Sequence, residues 1–125
     1  MNIALWIGQI LLAVVFAGSG ALKISQPKQW LIDTGQTGVV FFPLWGIRVI
    51  AALELLGVIG LVVPWATGIA PFLTPLAAAG FAALMIGAGI SHAKLREPRN
   101  VATNAVLFAI SVLVAWGRFA DLASG

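Results

Sequence analysis

Four apolar runs, each of roughly 20 residues, set the strongest constraint on how this chain can fold. They cover about residues 3–22, 44–64, 70–91 and 101–118. A helix of that length crosses the hydrocarbon core of a bilayer. Because a backbone in lipid must satisfy its own hydrogen bonds, uninterrupted runs favour helices over strands. The sequence therefore predicts an all-α membrane protein, with residues 1–125 forming one four-helix transmembrane domain.

The composition also indicates lipid as the solvent. Only 9% of the residues are charged and 61% are hydrophobic, whereas an ordinary soluble domain is about 25% charged. The seven Lys and Arg residues lie at the borders of the apolar runs and form no stripe, so nucleic acid is not expected as a partner. The chain has no Cys, which excludes disulfides and thiolate metal sites. We interpret the first run as a retained span, because no basic segment precedes it.

Small residues recur on three of the spans, where they let helices approach closely in lipid. They are Ala13, Ala17 and Ala21 on the first span, Gly57 and Gly60 on the second, and Ala83 and Gly87 on the third. With short connections between the spans, this pattern predicts an antiparallel four-helix bundle. The same small-residue faces are suited to a homodimer or to a membrane-protein partner.

The basic residues predict an orientation in the cell membrane. Two of them, Lys23 and Lys28, lie in the first loop, and the third loop holds Lys94, Arg96 and Arg99. By the positive-inside rule both loops are cytoplasmic, and the N- and C-termini are on the non-cytoplasmic side. All five Trp residues lie near predicted span ends, as an aromatic belt requires. Loop one is long and apolar, so we expect it to lie partly in the interface and to cover the bundle.

Glu54 is the one charged residue between Ile50 and Pro64. It lies near the centre of the second span, about 15 Å from the cytoplasmic interface at the rise of an α-helix. A central Asp, Lys or Arg costs about 2.5–3.5 kcal/mol on insertion, and we expect a similar cost for Glu. Either protonation or a partner must offset this cost. Glu54 is therefore the first candidate for a functional residue.

Other polar side chains fall in the same cytoplasmic half of the bundle. The predicted cluster, which binds a ligand or is a buried polar network, consists of Lys23, Arg48, Glu54, His92 and Asn104. Lys23 and His92 also fit interfacial anchors, and Asn104 also fits an interhelical hydrogen bond, so both interpretations stay open. The other half of the bundle carries mainly Gln9 and Thr74, and the predicted polarity is therefore lopsided.

Four segments carry a resemblance to a known family. They are AGSGALK at the end of the first span, FPLWGIRVIAALELLGVIGLVVP, TGIAPFLTPLAAAGFAALMIGAGISHAKLRE and NAVLFAISVLVAWGRF. Together they resemble the DoxX-like family of small four-helix membrane proteins. The wider group is similar to a membrane subunit of thiosulfate:quinone oxidoreductase and to a chaperone that assembles acetylcholine receptors. By position, the resemblance implies recurrent polar residues at Lys23, Glu54, His92 and Asn104.

Two functions from different classes fit these features. The first is an accessory or assembly subunit that recognises another membrane protein through helix packing and the buried cluster. The alternative is a cytoplasmic-side pocket that binds a quinone or isoprenoid-like amphiphile, within a redox complex. No cofactor is expected apart from such a bound lipid or quinone. A self-contained oxidoreductase is not expected, because the chain has one His, no Cys and no Gly-rich dinucleotide motif.

Overall fold

Four long helices form the protein in the computed structural model, which describes residues 1–124. The elements are α1 (Asn2–Ser25), α2 (Lys28–Asp33), a 3-10 helix (Thr37–Phe41), α3 (Leu44–Thr67), α4 (Leu73–Lys94) and α5 (Pro98–Ala123). The helices α1, α3, α4 and α5 are each long and apolar enough to cross a membrane. The predicted all-α fold with four candidate spans is therefore confirmed.

Neighbouring long helices contact each other in reversed order along the chain. Gln9, early in α1, bonds to Leu61, late in α3, whereas Lys23, at the end of α1, pairs with Glu54. The same reversed order holds for α3 with α4 and for α1 with α5, in the pairs Gly57–Phe81, Gly60–Ala77, Gly8–Val114 and Leu5–Gly117. Both termini therefore lie at one end of the bundle, here called the terminal end. The loops that carry Lys28, Lys94 and Arg96 lie at the other, here called the basic end.

The core is built around two stacked aromatic rings. The rings of Phe16 on α1 and Phe81 on α4 lie 4.1 Å apart at an angle of 15°. Around them are the buried side chains of Leu12, Ala13, Leu61, Ala78, Met85 and Val114. Gly57 makes room for the Phe81 ring, because a Cβ atom there would lie 2.6 Å from it. The predicted small-residue face of the second span thus brings α3 close to α4.

The structure corrects the predicted role of Pro64. The sequence predicted that Pro64 ends the second span, but α3 continues through it to Thr67 and ends at Gly68, which has a φ of 73°. Proline has no N–H, so the carbonyl of Gly60, four residues earlier, loses its helical partner. The hydroxyl of Thr74 on α4 donates to this carbonyl at 2.8 Å. A side chain from the next helix therefore satisfies the backbone group that Pro64 leaves open.

The start of α4 also differs from the prediction. Residues 70–72 form a turn rather than helix, and α4 begins at Leu73. Pro71 therefore lies before the helix and not in its first turn, where Pro75 alone is found. The left-handed backbone of Ala70, with a φ of 49°, helps reverse the chain within this short connection.

Replacing Thr74 by Val is predicted to cost about 1–3 kcal/mol of unfolding free energy, because the buried Gly60 carbonyl loses its donor. In a Pro64→Ala background the new N–H serves that carbonyl, so the same replacement should cost less. Denaturant unfolding in detergent micelles measures both values. Thr103→Val is the control, since the exposed Thr103 hydroxyl donates to the Arg99 carbonyl within its own helix. An equal cost of Thr74→Val in both backgrounds would contradict this role of Thr74.

Candidate functional site

Lys23 and Glu54 form an ion pair inside the bundle. The Nζ atom of Lys23 donates to Oε1 of Glu54 at 2.7 Å. The Glu54 side chain is 1% exposed and that of Lys23 is 16% exposed. A carboxylate at this depth needs a partner to offset its loss of hydration. Of the residues predicted to cluster with Glu54, the structure brings Lys23 into direct contact with it.

The direction of the two helices explains this pairing. Helical side chains lean towards the N-terminus of their helix. Because α1 runs towards the basic end, Lys23 leans back towards the membrane centre, whereas Glu54 on the antiparallel α3 leans towards the basic end. Lys23 therefore reaches inward from the last turn of α1 and meets a carboxylate that lies about 15 Å along α3.

Arg48 is on α3, and its side chain bonds to the end of α1 rather than to Glu54. Its Nη1 atom donates to the carbonyl of Gln26 at 2.8 Å and also to the carbonyl of Lys23. The last carbonyls of a helix have no partner within the helix, and in a low-dielectric setting they need donors. Arg48 supplies one, and it thereby fixes the backbone from which Lys23 extends. The predicted contribution of Arg48 is therefore indirect, through the position of Lys23.

A cavity of about 300 Å³ adjoins the ion pair. Its polar lining includes Lys23, Glu54, Ser91 and His92, and its apolar lining includes Ile47, Ile50, Leu84 and Met85. The second carboxylate oxygen of Glu54, Oε2, is buried, and no residue from 1 to 124 donates a hydrogen bond to it. An ionised carboxylate is an acceptor at both oxygens. Glu54 therefore lines the cavity and carries a hydrogen-bond acceptor without a partner. This cavity is called the head cavity below.

The first loop covers the head cavity from the basic end. Gln36, Gly38, Val39 and Phe42 from this loop line the cavity. Val39 is buried against Leu31 of α2 and Ile47 of α3, so an apolar contact holds the loop on the bundle. The hydroxyl of Ser19 on α1 also donates to Oε1 of Gln36 at 3.4 Å.

A hydrogen-bond network around Glu97 joins the loop to α4. The hydroxyl of Thr37 donates to Oε1 of Glu97 at 2.6 Å, and Nδ1 of His92 lies 2.8 Å from the same oxygen. The Thr37 hydroxyl and then His92 lower the pKa of Glu97 below its ordinary value of 4.5. His92 therefore lines the cavity but is paired with Glu97 and not with Glu54, a difference from the predicted cluster.

Asn104 lies apart from the ion pair. It lines a groove between α4 and α5 with Met85, Ile86, Gly89, Ile90 and Phe108. Its Nδ2 atom is buried, and within residues 1–124 it has no hydrogen-bond partner. Neither an interhelical hydrogen bond nor a contact with Glu54 is therefore formed. Asn104 lies in the same half of the bundle as Glu54, but its side chain lines the groove between α4 and α5 and not the head cavity.

A family model decides the relationship of this chain to other proteins. The model of the DoxX-like family matches residues 7–114. The chain belongs to the DoxX-like family. Neither the curated proteins nor the solved structures compared with the chain gave a match. With its four candidate spans, this DoxX-like protein is a multi-pass membrane protein.

The terminal end of the DoxX-like protein holds a second buried polar cluster, which the sequence did not predict. Arg118 is 1% exposed, and its Nε atom donates to Oε1 of Gln9 at 2.6 Å. Its Nη1 atom donates to Asn2 and Asp121 at 2.9 and 3.0 Å. The guanidinium also lies 4.4 Å from the Trp65 ring centroid, a cation–π distance. The expectation of a lopsided polarity was therefore wrong.

Of the side chains that sequence reasoning missed in the two clusters, Asp121 could have been found from its spacing. Asp121 follows Arg118 by three residues, which places both on one helix face. Glu97 follows His92 by five residues across a helix end, a spacing that gives no reliable contact. Gln36 and Thr37 reach the site through the fold of the loop, which no periodicity predicts.

Replacing Thr37 by Val is predicted to raise the pKa of Glu97 towards its ordinary value, because the largest cause of its lowering is removed. Carbon-13 NMR of the Glu97 carboxyl group measures this pKa. Since the folded pKa is the lower one, the contact stabilises the loop above the ordinary value and is lost as the pH falls through the folded pKa. Thr34→Val is the control, because the Thr34 hydroxyl bonds only to backbone carbonyls. An unchanged Glu97 pKa in Thr37→Val would refute the network.

Proposed function

We propose that this DoxX-like protein binds the polar head of a membrane amphiphile, of the quinone or isoprenoid type, in the head cavity. The observation that carries the proposal is Oε2 of Glu54, a buried acceptor without a donor among residues 1–124, in a residue that lines the cavity. A buried polar atom left unpaired costs about 1–3 kcal/mol. A ligand hydroxyl that donates to Oε2 would remove this cost.

The lining of the head cavity suits a molecule with a polar head and an apolar body. The Lys23 ammonium has three donors and uses one on Glu54, so it can also donate to a ligand oxygen. Ile47, Ile50 and Leu84 provide apolar walls beside the ion pair. Ligand sites combine mainly apolar walls with a few placed polar groups, and the volume of about 300 Å³ lies at the lower end of their range.

An assembly role, which the sequence suggested first, has weaker support in the geometry. Most exposed residues of α3 are aliphatic, among them Val49, Leu53, Leu56 and Ile59. Lipid chains alone can cover such a surface. A docking surface also gives no reason for an unpaired carboxylate oxygen beside an internal cavity. A homodimer is not required by the proposal, because one chain supplies the residues that line the cavity.

The proposal also includes an orientation. The basic end carries Lys28, Lys94, Arg96 and Arg99, so by the positive-inside rule we place it at the cytoplasmic face of the cell membrane. The N- and C-termini are then on the non-cytoplasmic side. The ligand head would lie in the cytoplasmic leaflet, below the first loop.

Binding of decylubiquinol and of geranylgeraniol to the purified protein tests the proposal. We expect at least one of them to bind, and Glu54→Gln to weaken its binding by about tenfold or more, because a neutral amide is a weaker acceptor than a carboxylate. Native mass spectrometry from detergent micelles measures the bound fraction. Asn104→Ala is the control, since Asn104 is a buried polar residue outside the cavity. No binding of either compound, or equal binding to Glu54→Gln, would reject the proposal.

A further inference from the structure

We propose that the ligand is a single-chain lipid with a hydroxyl head, whose tail leaves the head cavity sideways between α3 and α4 into the membrane. This inference rests on the proposed function and narrows it to one chemical class. It follows from a second cavity, of about 270 Å³, which is referred to below as the side groove.

The side groove continues the head cavity. Two residues, Glu54 and Leu84, line both. The other residues that line the side groove are Leu53, Gly57, Ala77, Gly80 and Phe81, all of them apolar. From Glu54 the groove extends along α3 past Gly57 to Ala77, which faces Gly60. Gly60 lies about 9 Å from Glu54 along the helix axis, at 1.5 Å per residue. A chain attached to a head at Glu54 would therefore lie along the second half of α3, in the direction of the terminal end.

The side groove opens onto the lipid-facing surface. Leu53 is 62% exposed, and Gly80 on the opposite wall is also exposed. A Cβ atom added at Gly80 would meet no atom within 4 Å, so the space in front of this residue is open. The first loop covers the basic end of the head cavity, so the side groove offers the ligand a path that stays in hydrocarbon. Space for one chain beside Gly80 fits a single tail better than a diacyl lipid.

The unpaired oxygen of Glu54 selects the head group. Oε1 of Glu54 is used by Lys23, and Oε2 remains to accept a hydrogen bond. A hydroxyl supplies the missing donor, whereas an ether or a carbonyl supplies only acceptors. An anionic phosphate would lie next to the Glu54 carboxylate, and like charges repel. The Lys23 ammonium is already paired with this carboxylate. The site therefore suits a lipid alcohol or a hydroquinone, which can donate to Oε2, better than an oxidised quinone, which can only accept from Lys23, or a phospholipid.

Two matched pairs of compounds test the head group. Geranylgeraniol is compared with its methyl ether, and decylubiquinol with oxidised decylubiquinone, by native mass-spectrometric titration of the wild-type protein. We expect the hydroxyl member of at least one pair to bind about tenfold tighter or more than its partner. If only geranylgeraniol binds tighter than its partner compound, the ligand is an isoprenoid alcohol. If only decylubiquinol does, the ligand is a hydroquinone. Equal affinities within both pairs would overturn the hydroxyl requirement.

Two matched glycine variants test the path of the tail. Gly80→Leu places a side chain in the side groove. We expect it to weaken binding of the preferred compound by about tenfold or more, because the tail loses several buried methylene contacts. Gly18→Leu on α1 is the control, because Gly18 is also exposed, helical and open within 4 Å. Gly80→Ala should give a smaller loss and replaces the leucine variant if that variant does not fold.

The outcomes separate this inference from the proposed function. Unchanged binding to Gly80→Leu, with reduced binding to Glu54→Gln, would overturn the side groove as the tail path and leave the head site in place. Unchanged binding to both variants would remove the head site as well. Reduced binding to Gly80→Leu and unchanged binding to Gly18→Leu supports the lateral path.

Discussion

The Lys23–Glu54 ion pair is the interaction on which the basic end of this DoxX-like protein depends. A carboxylate that is 1% exposed needs a cation nearby, and Lys23 supplies it from the last turn of α1. Arg48 then holds the two carbonyls at that helix end. The pair satisfies only one oxygen of Glu54, and the other oxygen is what makes the head cavity more than a packing defect. The proposed binding site thus rests on an incompletely satisfied charge.

The two ends of the bundle treat buried polarity in different ways. At the terminal end, Arg118 donates to three side chains and stacks on Trp65, and Gln9 extends the network to the carbonyl of Leu61. None of the three cavities described above is lined by residues of this cluster. The cluster therefore ties α1, α3 and α5 together as structure. Nη2 of Arg118 is also buried without a hydrogen-bond partner in residues 1–124, as is Oε2 of Glu54. The two ends differ because Glu54 lines a cavity.

The four spans followed from the sequence because the length of an apolar run is a local signal. The predicted boundaries at Pro64 and before Pro71 were less accurate, because they depend on how the helix ends pack. Glu54 was also recognised from a local signal, since one acid in an apolar run needs no neighbour to stand out. The cluster around it was harder, because Asn104 and His92 share its half of the bundle but have other contacts. Arg118 is the last residue of the fourth predicted span, and only the packing of α1 against α5 shows that it is buried. The depth of a residue can be counted along its helix, whereas the direction in which its side chain points depends on how all four helices pack together.

A double-mutant cycle on Lys23 and Glu54 measures the central interaction directly. We expect Lys23→Met alone to cost about 3–5 kcal/mol of unfolding free energy in detergent, because it leaves Glu54 buried and unpaired. Glu54→Leu alone should cost less, since Lys23 is partly exposed and its ammonium can reach the interface. The double variant should be close to the wild type in stability, because apolar side chains replace both charges. Costs of the two single variants that simply add in the double variant would show that Lys23 and Glu54 are not coupled, and would contradict this account.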